Sequence, residues 1–342
     1  MNRKRVIDKL LLGKDLEQSE SRKLFTLLIR NRLPFETVVQ ILALLQKKGE
    51  AVTELTGLVK AARRIQKRLK FKPVHANLCD GCGTGGDGKQ TINISTAASL
   101  VAAAAGAYVA KHGNYSITSR AGSSDLMKAL RVRIQAPSHA MLRSLKQIGF
   151  GYFHAPAYTK AFRYAAPARQ ALARQKMKTI FNLSGPLLNP LHVKRQVIGV
   201  FHYRYIPLLI KTLKLLGCRH ALVVSGQDGT DEITTHQITY TAELKKSQIK
   251  YGRFQPKQWL LRRSQTKDLK GGGALFNAKK TLRILNGTDR SACTDVVLAN
   301  AGAMLYVAGI SPSIRAGIQK AAVILKTGKA LMVLNQLRRL SQ

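Results

Sequence analysis

Carboxylates are scarce in this chain. Its 342 residues hold 17 Asp and Glu against 57 Lys and Arg, a formal net charge of +40, and no acidic residue lies between Asp125 and Asp228. Such a balance attracts polyanions, whether phosphorylated substrates, nucleic acid or anionic membrane. Because the basic residues are spread along the chain, with no single arm or tail, a generally basic surface accounts for much of the excess. Weak, sequence-independent binding to nucleic acid is the corresponding partner expectation. Cysteine is scarce too: Cys79, Cys82, Cys218 and Cys293 are too few and too scattered for a disulfide framework and fit a reducing, cytoplasmic setting. Cys79 and Cys82 form a CxxC with no second CxxC or CxxH, which favours small buried residues over a zinc site. Long apolar runs are missing. The least polar run, Ala97 to Ala110, is shorter than a bilayer span, and the first fifteen residues lack the apolar core of a signal peptide. Asp8 and Asp15 argue against a transit peptide, so a soluble protein without a membrane partner is expected.

What is present is length enough for one large or two ordinary domains, and a hydrophobic content of 45% that supports a globular fold. Residues 1–70 read as three or four amphipathic helices: Val6, Leu10 and Leu11 share a face, as do Leu24, Leu27 and Leu28, and Val38, Val39, Ile41, Leu42 and Leu45 mark a third. Pro34 suits the first turn of that third helix and Gly49 its C-terminal cap. A fourth helix, about Thr53 to Leu69, carries a basic, solvated face. From residue 71 short apolar strands alternate with helices. Strands are expected at Ala107 to Lys111, Gly149 to His154, Val197 to His202, Ala221 to Ser225 and Ile238 to Ala242, which predicts an α/β domain around a mostly parallel sheet. Gly271 to Gly273 reads as a plain surface turn.

The chemistry concentrates between Asp80 and Asp125. Gly81, Gly83, Gly85, Gly86 and Gly88 precede Thr91, Asn93, Ser95 and Thr96 and then an Ala-rich helix. Glycines allow backbone N–H groups to approach a phosphate closely, and a helix N-terminus adds oriented donors, so the stretch reads as an anion cradle sized for a diphosphate. It has neither the GK[ST] ending of a P-loop nor the GxGxxG spacing of a dinucleotide fold. Lys111 and a second Ser/Gly loop, Ser116 to Ser124, should converge at the same end of the sheet. Farther on, Asp231 and Glu232 follow Gly229-Thr230 and offer a carboxylate pair to a hard ion such as magnesium.

GTGGD (83–87), NIST (93–96), KHGN (111–114) and GSSD (122–125), followed by FNLSGPLLNP (181–190), GTDEIT (229–234), FNA (276–278) and LANAGAMLYVAG (298–309), resemble the anthranilate phosphoribosyltransferase family of tryptophan biosynthesis. The resemblance covers nearly the whole chain. It implies transfer of a phosphoribosyl group from phosphoribosyl pyrophosphate to anthranilate, in a homodimer with a small helical domain (1–70, with 165–190 returning to it) and an α/β domain (71–164 and 191–342). The dimer would form through the helical domain. Transferred residue by residue, it makes Gly83, Gly85, Gly86, Asp87, Thr91, Asn93, Ser95, Thr96, Lys111 and Ser123 the donor site. Asp231 and Glu232 become magnesium ligands together with the Ser95 hydroxyl. Arg169 would bind the acceptor carboxylate, with Gly83, Asn114 and Pro186 in the same channel and His112 as a wall residue. No general base stands out, and none is required of a neutral arylamine that already presents its lone pair.

The departures from the family gather on the acceptor side. Tyr115 replaces the Arg after KHGN, Thr159-Lys160 replaces a His-Pro pair, Phe276 replaces an acidic residue, and three residues are added between Arg169 and Thr179. Two other readings stay open on these residues: a pyrimidine nucleoside phosphorylase-like enzyme, and a nucleic-acid-binding relative that kept the fold without catalysis.

Overall fold

Apolar residues at three- and four-residue spacing make most of residues 3–65 helical. The computed structural model, which describes residues 3–72, 77–116, 119–259, 261 and 265–342, folds them into α1 (Arg3–Leu11), α2 (Gln18–Ile29), α3 (Phe35–Lys48) and α4 (Val52–Ile65). The stripes that meet inside include Leu10, Leu24, Phe25, Leu28, Ile41, Leu42, Leu45, Leu55 and Leu58. Pro34 occupies the N-cap of α3, one place ahead of its expected turn, and Gly49 closes that helix at φ 89°. The fourth helix stops at Ile65, short of the expected Leu69. Gln66 turns to extended backbone there (φ −70°, ψ 138°), and its side-chain amide reaches Thr159 Oγ1 at 2.7 Å.

Strands and helices then alternate. The order is β1 (Leu78–Gly83), α5 (Ile94–Ala104), β2 (Tyr108–Gly113), α6 (Ser123–Ala129), α7 (Ser138–Ile148), β3 (Phe150–His154), α8 (Ala155–Tyr158), α9 (Ala166–Arg174) and α10 (Ile180–Ser184). It continues through β4 (Arg195–Gly199), α11 (Ile206–Leu215), β5 (His220–Gly226), β6 (Thr239–Lys245), β7 (Gln248–Phe254), α12 (Ala274–Leu285), α13 (Ala292–Ala308), α14 (Ile314–Lys326) and α15 (Lys329–Leu340). One seven-stranded sheet runs β3-β2-β1-β4-β5-β6-β7. Its first five strands are parallel, and β6 and β7 close the edge as an antiparallel hairpin.

Five strands lie where apolar runs predict them, with ends moved by a few residues. Two do not. Residues 80–83, read from sequence as the opening of the glycine loop, form most of β1, whose LCDGCG has no apolar alternation to announce it. The polar strand β7 lies on the exposed edge. It follows β6 through Lys246 and Ser247 at φ 49° and 63°, a two-residue hairpin turn without the Asn-Gly signature.

Strand β1 lies between β2 and β4. The chain builds one side of the sheet through β2 and β3, then returns to the other side of β1 for β4. The carboxyl ends of β1 and β4 therefore flank the switch point, where open α/β sheets bind ligands. Side-chain alternation across β4 and β5 divides the interior. Val197, Leu222 and Val224 face the core around the Ala-rich helices α5 and α13. Ile198, Ala221 and Val223 face α11 and the helical bundle, and Ala168, Leu172, Ile180 and Phe181 join that second cluster. Among the described residues no helix is long and apolar enough to cross a membrane.

Candidate active site

β1 ends at Gly83, and the Thr84 N–H donates to Gly199 O at the end of β4 (2.9 Å), tying the glycine loop to the switch point. Between β5 and β6 the chain carries Asp231 and Glu232 into the same crevice. Asp231 Oδ2 accepts from the Gly85 N–H at 2.7 Å, and Glu232 Oε1 from the Ser95 N–H at 3.1 Å. Two neighbouring carboxylates are thus held by two different parts of the anion cradle, the loop and the first turn of α5. The fit is close. A Cβ on Gly83 would stand 2.1 Å from Asp231 Oδ2, and one on Gly199 1.5 Å from Asp231 O, so only glycine leaves room at either strand end.

Both residues keep some surface open, but their carboxylates sit among protein atoms and other acids. Burial and repulsion from Asp87 push Asp231 up to about 7. Burial and repulsion from Asp231 push Glu232 up to about 8. Lys111 lies alongside, 2% exposed; its Nζ donates to Gly81 O at 2.6 Å and stands 3.4 Å from Ser95 Oγ. Below it Asp80 is buried, its Oδ2 accepting from Asn189 Nδ2 at 2.9 Å. Burial raises the pKa of Asp80 in spite of the neighbouring lysine.

Two carboxylates and a hydroxyl make an all-oxygen donor set of the kind that hard divalent ions take, and the raised pKa values show that the ionised carboxylates crowd one another, a cost that a bound cation would relieve. The residues fit magnesium. Among the described residues no three His, Cys, Asp or Glu form a closed metal centre, so an ion here would draw further oxygens from substrate and water, as magnesium does.

The remaining donor-side residues divide by role. Asp87 Oδ1 caps its own turn, accepting from the Lys89 N–H at 3.1 Å. Thr91 pairs with Lys270 in an isolated bridge. Asn93 occupies the N-cap of α5 without capping it; its amide donates to Ala121 O at 3.0 Å, and its Oδ1 accepts from Asn277 at 3.0 Å. Asn277 also accepts from the Gly272 N–H at 2.9 Å, and the Gly271 N–H donates to Gln90 O at 2.7 Å. The Gly271 to Gly273 segment is therefore the outer brace of the cradle and not a plain surface turn. Thr96 is buried with an unpartnered hydroxyl. Ser123 opens α6, and its Oγ accepts from the Asn114 N–H at 3.1 Å; residues 117 and 118 of that second loop lie outside the described residues.

On the acceptor side Arg169 projects from α9, its guanidinium 5.8 Å and 5.5 Å from the ring centres of Phe162 and Phe181. Its Nε is buried without a partner, and burial lowers its pKa. Pro186 lies in the turn Gly185–Leu188, its carbonyl fixed by Gln196 Nε2 at 2.9 Å. His112 is buried with Nε2 unpartnered, and burial lowers it to about 3, which makes it a neutral wall. Among the described residues no hydrogen bond links Arg169 to the donor cradle. Of the departures, Tyr115 packs edge-on against His154 at 5.1 Å, Thr159 is taken up by Gln66, and Phe276 is exposed on α12.

Two residues escaped the sequence reading. Lys178, within the segment that carries the added residues, donates to Gly86 O at 2.7 Å while its Nζ lies 3.5 Å from the Phe201 ring centre. Asp228 accepts from the Thr230 N–H at 3.0 Å, contacts His236 Nε2 at 3.1 Å and faces Lys89 at 3.6 Å, so it shapes the loop that delivers Asp231. Neither stands in a motif: a lone Lys before Thr179 and an Asp in a turn carry no periodic or spacing signal.

Fold and site together define a glycosyl transferase built from a helical bundle and an a/b domain. The family model for the helical bundle domain matches residues 4–65, and that for the a/b domain residues 75–331. The chain is 38% identical to the anthranilate phosphoribosyltransferase of Rubrobacter xylanophilus over 330 residues, 96% of this chain and 95% of that one. It is 39% identical to that of Alkaliphilus metalliredigens over 98% of this chain and 97% of the other. The crystal structure of the Thermus thermophilus enzyme superposes with a TM-score of 0.89 at 34% identity, covering 98% of each chain. The Saccharomyces cerevisiae enzyme in complex with PRPP and Mg shares the fold at 23% identity, with a TM-score of 0.88 over 99% of this chain and 97% of that one. The chain belongs to the anthranilate phosphoribosyltransferase family.

Proposed function

We propose that this protein transfers the phosphoribosyl group of phosphoribosyl pyrophosphate to anthranilate, releasing pyrophosphate and N-(5-phosphoribosyl)anthranilate. The observation that carries the reading is the carboxylate pair Asp231-Glu232, held by the Gly85 and Ser95 N–H groups beside Lys111 at the switch point. A phosphorylase acting on nucleosides with inorganic phosphate has no use for such a pair. The amine nitrogen attacks the anomeric carbon, the bond from that carbon to the pyrophosphate oxygen breaks, and the amine gives up one proton. Charge accumulates on the leaving group, so fixed donors there do most of the work.

The glycine loop, the start of α5 and Lys111 supply those donors, with Gly83, Gly85, Gly86, Asp87, Thr91, Asn93, Ser95, Thr96 and Ser123 shaping the donor site. Asp231, Glu232 and the Ser95 hydroxyl would hold magnesium, which when bound offsets charge on the pyrophosphate. Arg169 presents an unneutralised guanidinium between two aromatic rings, suited to bidentate recognition of the anthranilate carboxylate, with Asn114 and Pro186 beside the ring and His112 as a neutral wall. An arylamine already presents its lone pair, so orientation and leaving-group stabilisation supply much of the rate without an assigned general base. The helical domain (1–70 with 165–190) and the α/β domain (71–164 and 191–342) enclose the site, and exposed Leu11, Leu12 and Phe35 on the bundle suit a homodimer in a reducing, cytoplasmic setting. The test is an assay of anthranilate fluorescence with phosphoribosyl pyrophosphate and magnesium. Fluorescence that stays constant while both substrates bind would sink the reading.

A further inference from the structure

The basic excess is not featureless. Arg22 on α2, with Lys60, Arg63 and Arg64 on α4, lines an open groove of about 340 Å³ that is completed by Leu215 and Leu216 at the end of α11. Positions 60, 63 and 64 share one helical face. Arg64 also lines an adjoining hollow of about 330 Å³ that adds Arg30, so the basic lining continues along the seam between α2 and α4. At the other end Lys194 donates to Leu216 O at 3.1 Å. Arg68 and Arg219 stand close enough to Lys194 to lower its pKa, after burial, together with Arg63. Burial and Arg68 likewise lower Arg63 to about 10, and burial with Arg63, Arg68 and Lys194 holds His192 down to about 4.

These cations repel one another, and none of them is among the ion pairs of the described residues. A second copy docked by the same face would bring the same sign to the groove and relieve nothing. A single phosphate would use a few of the cations and leave the rest of the strip unneutralised. A polymer of regularly spaced phosphates matches both the sign and the extended shape. We propose that the α2–α4–α11 groove binds the sugar–phosphate backbone of nucleic acid, without base selectivity, at a site separate from the switch-point crevice. Arg63 gives the groove a fixed floor, because its Nε and one terminal nitrogen donate to Leu187 O at 3.2 Å and 2.8 Å. Arg22 and Arg64 remain exposed above it.

The experiment titrates salt against binding of a fluorescent DNA duplex to the full chain, the Arg22→Gln/Lys60→Gln/Arg64→Gln variant and a control, Arg315→Gln/Lys320→Gln/Lys326→Gln, which removes the same charge from exposed positions on α14. Each phosphate that is no longer neutralised should make the salt slope shallower by about one. The groove variant should therefore lose about two to three in slope and bind about tenfold more weakly at low salt, while the control changes little and both keep enzymatic turnover. Should the triple variant unfold, Arg22→Gln/Arg64→Gln alone, at two exposed positions, should lower the slope by about two. Equal losses in groove variant and control would mean diffuse charge and overturn the assignment. So would pyrophosphate displacing the duplex far below the concentration at which sodium chloride of equal ionic strength does, which would mark a small-anion site. A duplex bound selectively by sequence would overturn the backbone reading.

Discussion

Asp231 occupies the space that a side chain on Gly83 would fill, its Oδ2 lying 2.1 Å from the position of that missing Cβ. Strand end and metal-binding candidate are therefore one packing unit. Gly83→Ala should displace the carboxylate and cut turnover by about a hundredfold or more, the scale of losing one well-placed electrostatic group, in a protein that still folds. Gly199→Ala confronts the Asp231 backbone at 1.5 Å and should cost stability first, about 1 to 3 kcal/mol by overpacking. Thermal melts beside the fluorescence assay separate the two outcomes.

Asp231→Asn with Glu232→Gln should leave a folded chain and reduce turnover by at least about a thousandfold, since both carboxylates serve the crevice and not the hydrophobic core. Steady-state rates at saturating magnesium with a circular dichroism spectrum check this. Near-normal rates would remove the pair from the site.

The same pair predicts how stability depends on pH. In the unfolded chain both carboxyls lose their protons near pH 4, whereas in the folded metal-free chain they hold them to about 7 and 8. The folded state binds more protons across that window, so this contribution to stability is full below about pH 4 and is lost as pH rises to about 8. His112 and His192, lowered to about 3 and about 4, act in the opposite sense below about pH 6.5. The comparison with the double variant isolates the carboxylates. Relative to Asp231→Asn/Glu232→Gln, the metal-free parent should lose roughly 5 °C or more in Tm between pH 5.5 and 8.5, and magnesium should restore more of it at the higher pH.

Arg169→Ala should raise the KM for anthranilate about ten- to a hundredfold, the value of a charge-assisted bond to a carboxylate of about 1.5 to 3 kcal/mol, with a much smaller change for the sugar donor. Arg169→Lys should restore only part of the loss, because ammonium cannot reproduce the planar fork. Equal weakening of both substrates would assign Arg169 to packing between Phe162 and Phe181.

Lys178→Ala should act on the donor instead. Its Nζ holds the Gly86 carbonyl at 2.7 Å, and its release should loosen the glycine loop and raise the KM for phosphoribosyl pyrophosphate about tenfold, leaving that for anthranilate nearly unchanged. The reverse split would place Lys178 on the acceptor side.

Much of this protein is determined locally. Periodic apolar residues mark the bundle helices and five of the seven strands, and GTGGD, NIST, KHGN and the Asp231-Glu232 pair are local motifs that the fold brings to one crevice. Local signals fail where a residue acts through distant neighbours. β1 has no apolar alternation because its Asp80 is buried to accept from Asn189 and its Gly83 permits the close approach of Asp231, and β7 has none because an exposed edge needs no buried face. The bond from Lys178 to Gly86 spans 92 residues and that from Asn277 to Asn93 spans 184, so no window of sequence contains either. The +40 is plain in composition, but its concentration into a groove arises only when α2, α4 and α11 pack together, because burial chooses which faces of separate helices become a common surface.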